Sequence, residues 1–155
     1  AAPSGSNSRP WEFMVVTDKQ RRAEVFPYLH WAAYISPAGT PAENERPVVY
    51  IVVLINQDRA QMKYAAYDAG AAIENILLTA WSEGIGACWM QAIDRSKLRR
   101  VLRIPPGLII DSIISLGYWA EMPREEELKN SVKYWKDKRG VLHVPKRSLH
   151  YEIIH

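Results

Sequence analysis

The sequence predicts a layered domain of the α/β or α+β type, built around a β-sheet covered on both faces. Three observations carry this. "VVYIVVLIN" (48–56) is apolar at consecutive positions, the pattern of a strand buried on both sides. "QMKYAAYDAGAAIENILLTAWSEG" (61–84) places Ala65, Ala69, Ala72, Ile73, Ile76, Leu77, Ala80 and Trp81 at intervals of three and four, one broad apolar stripe on a long helix. Strand-like and helix-like segments interleave along the chain, so sheet and helices share one core.

The elements follow in order. "PSGSNSRPW" (3–11) is turn material. "EFMVVTD" (12–18) is β-branched and ends at a turn-forming Asp18, so it reads as a short strand. Residues 19–34 carry Ala23, Val25, Phe26, Leu29 and Ala33 at near-helical spacing and predict a helix interrupted by Pro27. "SPAGTPAENERP" (36–47) has no apolar period and reads as a surface loop, a candidate cover for a site. The strand 48–56 and the helix 61–84 come next, the helix stopped by Gly84 just past its end. Its small residues Ala69, Gly70, Ala71 and Ala72 admit a close neighbour, which places it at the domain centre or at a subunit interface. "IGACWMQA" (85–92) reads as a strand, and Asp94 as the N-cap of a helix over 95–103 that "IPPG" ends. "IIDSIISLGYW" (109–119) is a further strand. Residues 124–139 are charged and read as surface helix or loop, and "VPKRSLHYEIIH" (144–155) as an extended piece running into a short amphipathic end.

Composition narrows the function classes. A chain of 155 residues with 48% hydrophobic and 24% charged residues is one globular domain, not a disordered chain or a coiled coil. No apolar run is long enough to span a bilayer as a helix, and no basic stretch followed by an apolar one forms a leader. A lone cysteine, Cys88, excludes an internal disulfide and predicts a reducing, cytoplasmic compartment. The net charge of +3 is spread over "RR" (21–22), "KLRR" (97–100) and "KDKR" (136–139), which read as solvated faces rather than a nucleic-acid footprint. The six tryptophans and eight tyrosines mean core and interface area, and planar ligands also stack on such residues.

The usual catalytic constellations are missing. His30, His143, His150 and His155 with Cys88 show no metal-ligand spacing. Cys88 lies in the apolar "GACWM" and reads as a small buried hydrophobe rather than a nucleophile. "GIGACW" is no dinucleotide fingerprint, and no phosphate-loop lysine motif occurs. This pattern leaves a binder, or an enzyme whose chemistry resides in a borrowed cofactor. The opening loop is the best ligand candidate. Gly5 permits φ > 0, successive backbone N–H groups can converge there, and Asn7 can both donate and accept. Pro10 forces an extended entry into the strand. Ser, Asn and Gly also serve ordinary turns.

Four segments, "APSGSNSRPWEFMVV", "DAGAAIENILLTAWSEGIGACWMQAID", "SIISLGYWAEMP" and "PKRSLHYEIIH", occur collinearly along nearly the whole chain and together resemble the nitroreductase family. The resemblance implies an α+β fold, a central and mostly antiparallel sheet flanked by helices in an α/β/α sandwich, over 1–155 as one flavin domain. It also implies an obligate homodimer with FMN at the subunit interface. Pro3, Ser4, Gly5 and Asn7 would then contact the flavin. Met90, Gln91 and Ala92 would pass its reactive edge, with the backbone N–H of Ala92 aimed at N5 in place of a catalytic side chain. Lys146 and Arg147 would hold the phosphate or the pyrimidine edge, since Arg offers a planar fork and Lys a point charge; read alone they are also compatible with a solvated tail. Gln91 also reads as a strand-end residue capping its own backbone, while Trp81 and Trp89 read as core. Family members usually carry an Arg-rich helix ahead of the Pro-Ser loop, which this chain is expected to lack, and Arg9 stands where glutamine is common.

The implied activity is transfer of hydride from NADH or NADPH, by a ping-pong course, to a planar acceptor such as a nitroaromatic or a quinone. The alternatives are a specialised flavin enzyme of the same superfamily, such as a dehalogenase or flavin-processing enzyme, and a non-catalytic flavin-binding domain. Neither nucleic acid nor a membrane is an expected partner, and no metal is expected.

Overall fold

A computed structural model describes residues 1–148, so the expected amphipathic end at 149–155 lies outside the described residues. The described residues form two compact units, one of Ala1–His30 with Arg46–Tyr118, the other of Trp31–Glu45 with 119–148.

The first unit is built on a four-stranded, wholly antiparallel sheet. Its strands are β1 (Trp11–Val16), β2 (Val49–Asn56), β3 (Gly86–Met90) and β4 (Leu108–Gly117), in the order β1-β2-β4-β3. The unit's helices are α1 (Lys19–Val25), α2 (Ala65–Ser82) and α3 (Arg95–Leu102). As its composition demands, β2 is buried on both faces. Val53 and Ile55 pack with Ile114 of β4 against Ala65, Ala69 and Ile73 of α2. The alternate residues Tyr50, Val52 and Leu54 point to the opposite face and are buried as well. Arg22 of α1 lies close to Tyr50 on that side, and burial pushes the Tyr50 hydroxyl up to about 12 despite the opposing influence of Arg22 and Arg46.

Helix boundaries obey local chemistry. Asp18 caps α1 by accepting from the Arg21 N–H at 2.9 Å, and Asp94 caps α3 by accepting from the Lys97 N–H at 3.1 Å. The predicted helix over 19–34 ends at Val25. Pro27 lacks an N–H, so Phe26–Tyr28 tighten into a 3-10 turn, and Leu29 leaves extended to bridge Ile93. Gly84 follows α2 with φ +70°, as its place in the sequence requires.

The second unit contains a three-stranded sheet of β5 (Arg124–Glu127), β6 (Trp135–Lys136) and β7 (Leu142–Lys146), with β5 parallel and β6 antiparallel to the central β7. Strands here replace the surface helix or loop expected over 124–139. "REEE" hides its strand character because all four residues are exposed, and the ladder to β7 stabilises it where side-chain burial does not. Asp137 closes the β6–β7 turn by accepting from the Arg139 and Val141 N–H groups at 2.8 and 2.9 Å. The Val141 bond comes first among the contacts holding its carboxyl below the ordinary range. In the same unit His143 is buried under the Trp135 ring, 4.2 Å away and nearly parallel, with Glu126 Oε1 2.5 Å from its Nδ1.

No helix among the described residues is long and apolar enough to cross a membrane.

Candidate functional site

The sheet brings two of the three sequence-predicted segments to one end. Antiparallel pairing sets the start of β1 beside the end of β2 and the start of β4, while β3 runs toward the same end and stops short of it: Trp11 faces Ile55, Asn56 faces Leu108, and Met90 faces Ile113 in the middle of β4. The loop with Pro3, Ser4, Gly5 and Asn7 leads into β1, while Gln91 and Ala92 follow β3. The two segments therefore lie toward the same end of the sheet, next to its two edge strands, which stand three strand spacings apart, about 14 Å at about 4.8 Å each.

The loop is built differently from its sequence expectation. Gly5 is not left-handed; Ser6, Asn7 and Arg9 are, with φ of 50°, 56° and 46°. Arg9 is thus left-handed where a residue before proline should be extended. Three side-chain-bearing residues in this sparsely populated region mark a segment held by its surroundings. Its N–H groups also do not converge on open space. Asn7 N donates to Ser4 O at 3.0 Å, Ser8 N to Gly5 O at 3.1 Å, and Arg9 N to Ser4 Oγ at 3.0 Å. The Gly5 N–H goes to Asp68 Oδ1 at 2.8 Å, and Gln61 Nε2 donates to Ser6 Oγ at 3.1 Å. Pro3, Ser6, Asn7 and Arg9 are the exposed residues of the loop.

At the other edge, Met90 is the last, buried residue of β3, and Gln91 and Ala92 lie just beyond it, both exposed. The Ala92 carbonyl accepts from the His30 N–H at 2.9 Å. The Ala92 N–H has no hydrogen-bond partner among the described residues. Gln91 does not cap its own backbone. Its side-chain oxygen accepts from Arg95 Nη2 at 2.7 Å, and its Nε2 reaches Asp111 Oδ2 at 3.4 Å. A cavity of about 240 Å³ is lined by Met62 ahead of α2, by Ala65 and Ala66 at its start, and by Arg95, Ile109 and Asp111; neither segment lines it.

Lys146 ends β7 and Arg147 follows it; both are exposed and both belong to the second unit. Three expected core residues are not buried in this chain. Trp81 is 61% exposed, Trp89 is 41% exposed, and Cys88 is exposed as well. Trp81 lies at the edge of the α2 stripe, and β3 is an edge strand, so neither is covered as a central element would be. Although the Cys88 residue is exposed, burial around its thiol pushes the thiol up, away from the range of a reactive thiolate.

Asp68, Arg95 and Asp111 escaped sequence reasoning, although two of them left a signal. Asp68 falls on the apolar stripe between Ala65 and Ala72, a carboxylate where only burial awaits it. Arg95 places a cation in the first turn of a helix, against the helix dipole. Asp111 is set by a register shift that no local pattern announces.

Comparison with known proteins agrees with this architecture. The model of the nitroreductase family matches residues 1–118. A protein of Archaeoglobus fulgidus, provisionally named NADH dehydrogenase/NAD(P)H nitroreductase, is 33% identical over 81% of this chain and 68% of its own length. A protein of the same provisional name from Methanothermobacter thermautotrophicus is 35% identical over 81% of this chain and 64% of its own. The chain thus spans about two thirds of the length of these relatives. Among solved structures, a provisionally named nitroreductase from Desulfovibrio desulfuricans in complex with FMN superposes with a TM-score of 0.64 at 26% identity, over 77% of this chain and 67% of that one. With the antiparallel sheet, the long α2 and a family match across three quarters of its length, the chain belongs to the nitroreductase family.

Proposed function

We propose that the chain is an FMN-dependent oxidoreductase that takes hydride from NADH or NADPH and delivers it, by a ping-pong course, to a planar acceptor such as a nitroaromatic or a quinone. The observation that carries this reading is the N–H of the exposed Ala92, without a partner among the described residues, toward the sheet end it shares with the Pro3–Asn7 loop. A free backbone donor at a strand end is what a ring nitrogen that gains and loses electrons requires, since it stabilises charge without reacting itself. FMN, when bound, supplies the redox chemistry.

The chain's own residues bind and orient it in this reading. Ala92 donates to the reactive edge, while Gln91 and Met90 hold the strand end that aims it. Pro3, Ser4 and Gly5 shape the loop floor, and Asn7 offers an amide that both donates and accepts. Lys146 and Arg147 are the cations assigned to the phosphate or pyrimidine edge by resemblance. The reading also holds that 1–155 acts as one flavin domain. A homodimer fits the exposed Leu78 and Trp81 on α2, and a cytoplasmic location fits the lone cysteine.

The test is the visible spectrum of the purified chain before and after heat release, followed by titration with FMN. Flavin near one per chain, bleached by NADH or NADPH and restored by a nitroaromatic or quinone, is the expected result. A colourless protein that takes up no FMN overturns the reading. Bound flavin reoxidised by oxygen alone points to a non-catalytic flavin-binding domain.

A further inference from the structure

The geometry points to Arg95, acting with the bulged Asp111, as the positioning residue that fixes the direction of the Ala92 N–H. This deepens the flavin reading and rests on it for its functional meaning, although the geometric claim stands on the chain alone.

It begins with a register shift. β2 pairs Val53 with Ser112 but Leu54 with Ile110, so Asp111 is an extra residue in β4, a β-bulge. A bulge takes backbone carbonyls out of the ladder, and Arg95 collects them: its Nε donates to Ile110 O at 3.1 Å and its Nη2 to Asp111 O at 2.6 Å. The same guanidinium turns toward Gln91, with Nη1 donating to the Gln91 carbonyl at 3.3 Å and Nη2 to the Gln91 side-chain oxygen at 2.7 Å. Asp111 Oδ2 accepts the Gln91 amide at 3.4 Å and completes the clasp. These partners also settle the amide, because only one orientation gives Arg95 an acceptor and Asp111 a donor.

The consequence for Ala92 follows from peptide geometry. The Gln91 carbonyl and the Ala92 N–H belong to one planar trans peptide unit, where C=O and N–H point in opposite directions. Holding the carbonyl toward Arg95 therefore turns the N–H away from it. On the far side of Ala92, its carbonyl is held by the His30 N–H. The N–H is thus aimed from both flanks while left without a partner of its own among the described residues. Lys cannot replace this clasp, since a point charge does not span acceptors on two strands as a planar fork does. The placement also explains a cation in the first turn of α3, where the helix dipole disfavours one.

The experiment compares wild type, Arg95→Ala and Arg95→Lys in the full chain by two readouts. The first needs no flavin: the amide ¹H–¹⁵N shift of Ala92 and the hydrogen-exchange rate of the His30 N–H, which the Ala92 carbonyl accepts, in cofactor-free protein. Arg95→Ala is expected to move the Ala92 shift and speed His30 exchange about tenfold, with Arg95→Lys restoring little, while amides in the middle of α2 stay put and show that the fold persists. The second is the rate at which NADH bleaches FMN-loaded protein, expected to fall roughly tenfold to a hundredfold, as for a misaimed group, with FMN affinity within about threefold. Ethylguanidinium added to Arg95→Ala should recover both readouts in part, which a merely structural arginine would not permit. An unmoved Ala92 amide in Arg95→Ala overturns the proposal whatever the flavin does. A moved amide in a chain that binds no FMN supports the clasp and removes the flavin reading instead.

Discussion

Asp68 Oδ1 accepts the Gly5 N–H at 2.8 Å, tying the opening loop to the first turns of α2 across 63 residues of sequence. Asp68 is only 7% exposed, and its other oxygen is buried without a hydrogen-bond partner among the described residues. A carboxylate near a helix N-terminus gains from the dipole, and here it also organises a loop containing three left-handed residues. The contact links local strain to a long-range anchor, and the candidate site depends on both.

Asp68→Ala removes the anchor and leaves the Gly5 N–H without its charged acceptor. The expected cost is about 2 kcal/mol, typical of a lost hydrogen bond to a charged group. For a chain of this size that is a fall of roughly 4–8 °C in Tm. Asp68→Asn keeps an acceptor oxygen and should lose less than half as much. Thermal unfolding followed by circular dichroism measures both. Equal losses in the two variants would mean that the carboxylate charge, not the acceptor oxygen that asparagine keeps, is what Asp68 provides.

Gly5→Ala separates backbone conformation from close approach. Gly5 has no positive φ, and an added Cβ would sit 3.8 Å from both Asp68 carboxylate oxygens and 3.9 Å from Tyr64 Cβ, ordinary contact distances. The substitution should change stability by less than about 1 kcal/mol and can stabilise by restricting the unfolded chain. A loss of several degrees in Tm would show that the loop needs a glycine after all.

The cap of α3 supplies a pH-dependent prediction. Asp94 is held down at about 2, first by the Lys97 backbone N–H, then by the Lys97 and Ser96 side chains. A carboxyl lowered on folding contributes its stability above its unfolded value of about 3.9, and loses it as pH falls toward the folded value. The Tm difference between wild type and Asp94→Asn should therefore be flat from pH 5 to about pH 4 and shift against wild type between about pH 4 and pH 2. A difference that stays constant down to pH 2.5 would remove the charge from the cap.

The elements of the first unit were legible because their signals are local or periodic: Asp94 at its cap, Gly84 past α2, the doubly apolar run of β2. The second unit's sheet was not, because "REEE" has no apolar alternation and its partner strand lies nearly twenty residues further on. The candidate site divides in the same way. Ala92 could be placed by resemblance, but the clasp on Gln91 needs a bulge at Asp111, and register is a property of paired strands. The loop's left-handed residues escaped notice because Gly5 looked like the natural place for positive φ, whereas Asp68 holds the loop from a distance.

The exposed apolar side chains of α2 and β1 carry a prediction about assembly. Leu78 is 58% exposed, and a groove of about 630 Å³ beside it is lined by Trp11, Phe13, Ala72 and Asn75. If the chain forms the proposed homodimer through this face, Leu78→Arg should convert it into a monomer by placing an unpaired charge in the interface. Sedimentation velocity at matched concentrations decides it. A dimeric wild type whose variant remains dimeric moves the interface elsewhere, and a monomeric wild type removes the homodimer.

The Ala92 donor can be removed without touching a side chain that binds anything. Ala92→Pro deletes the N–H while keeping the carbonyl that accepts from His30, and it biases Gln91 toward the extended conformation that continues β3. Ala92→Gly is the matched control, because it perturbs the backbone but keeps the donor. If the free N–H serves the reactive edge of bound FMN, the proline variant should load FMN within about threefold of wild type. Its bleaching by NADH should be slower by about a hundredfold, the usual consequence of removing one preorganised backbone donor. The glycine variant should stay within about threefold on both counts. Stopped-flow absorbance under anaerobic conditions measures the rates, and fluorescence quenching the affinities. A proline variant that is bleached at the wild-type rate would show that the chemistry does not use this N–H, and the strand end would then be a wall of the pocket rather than its electrostatic centre.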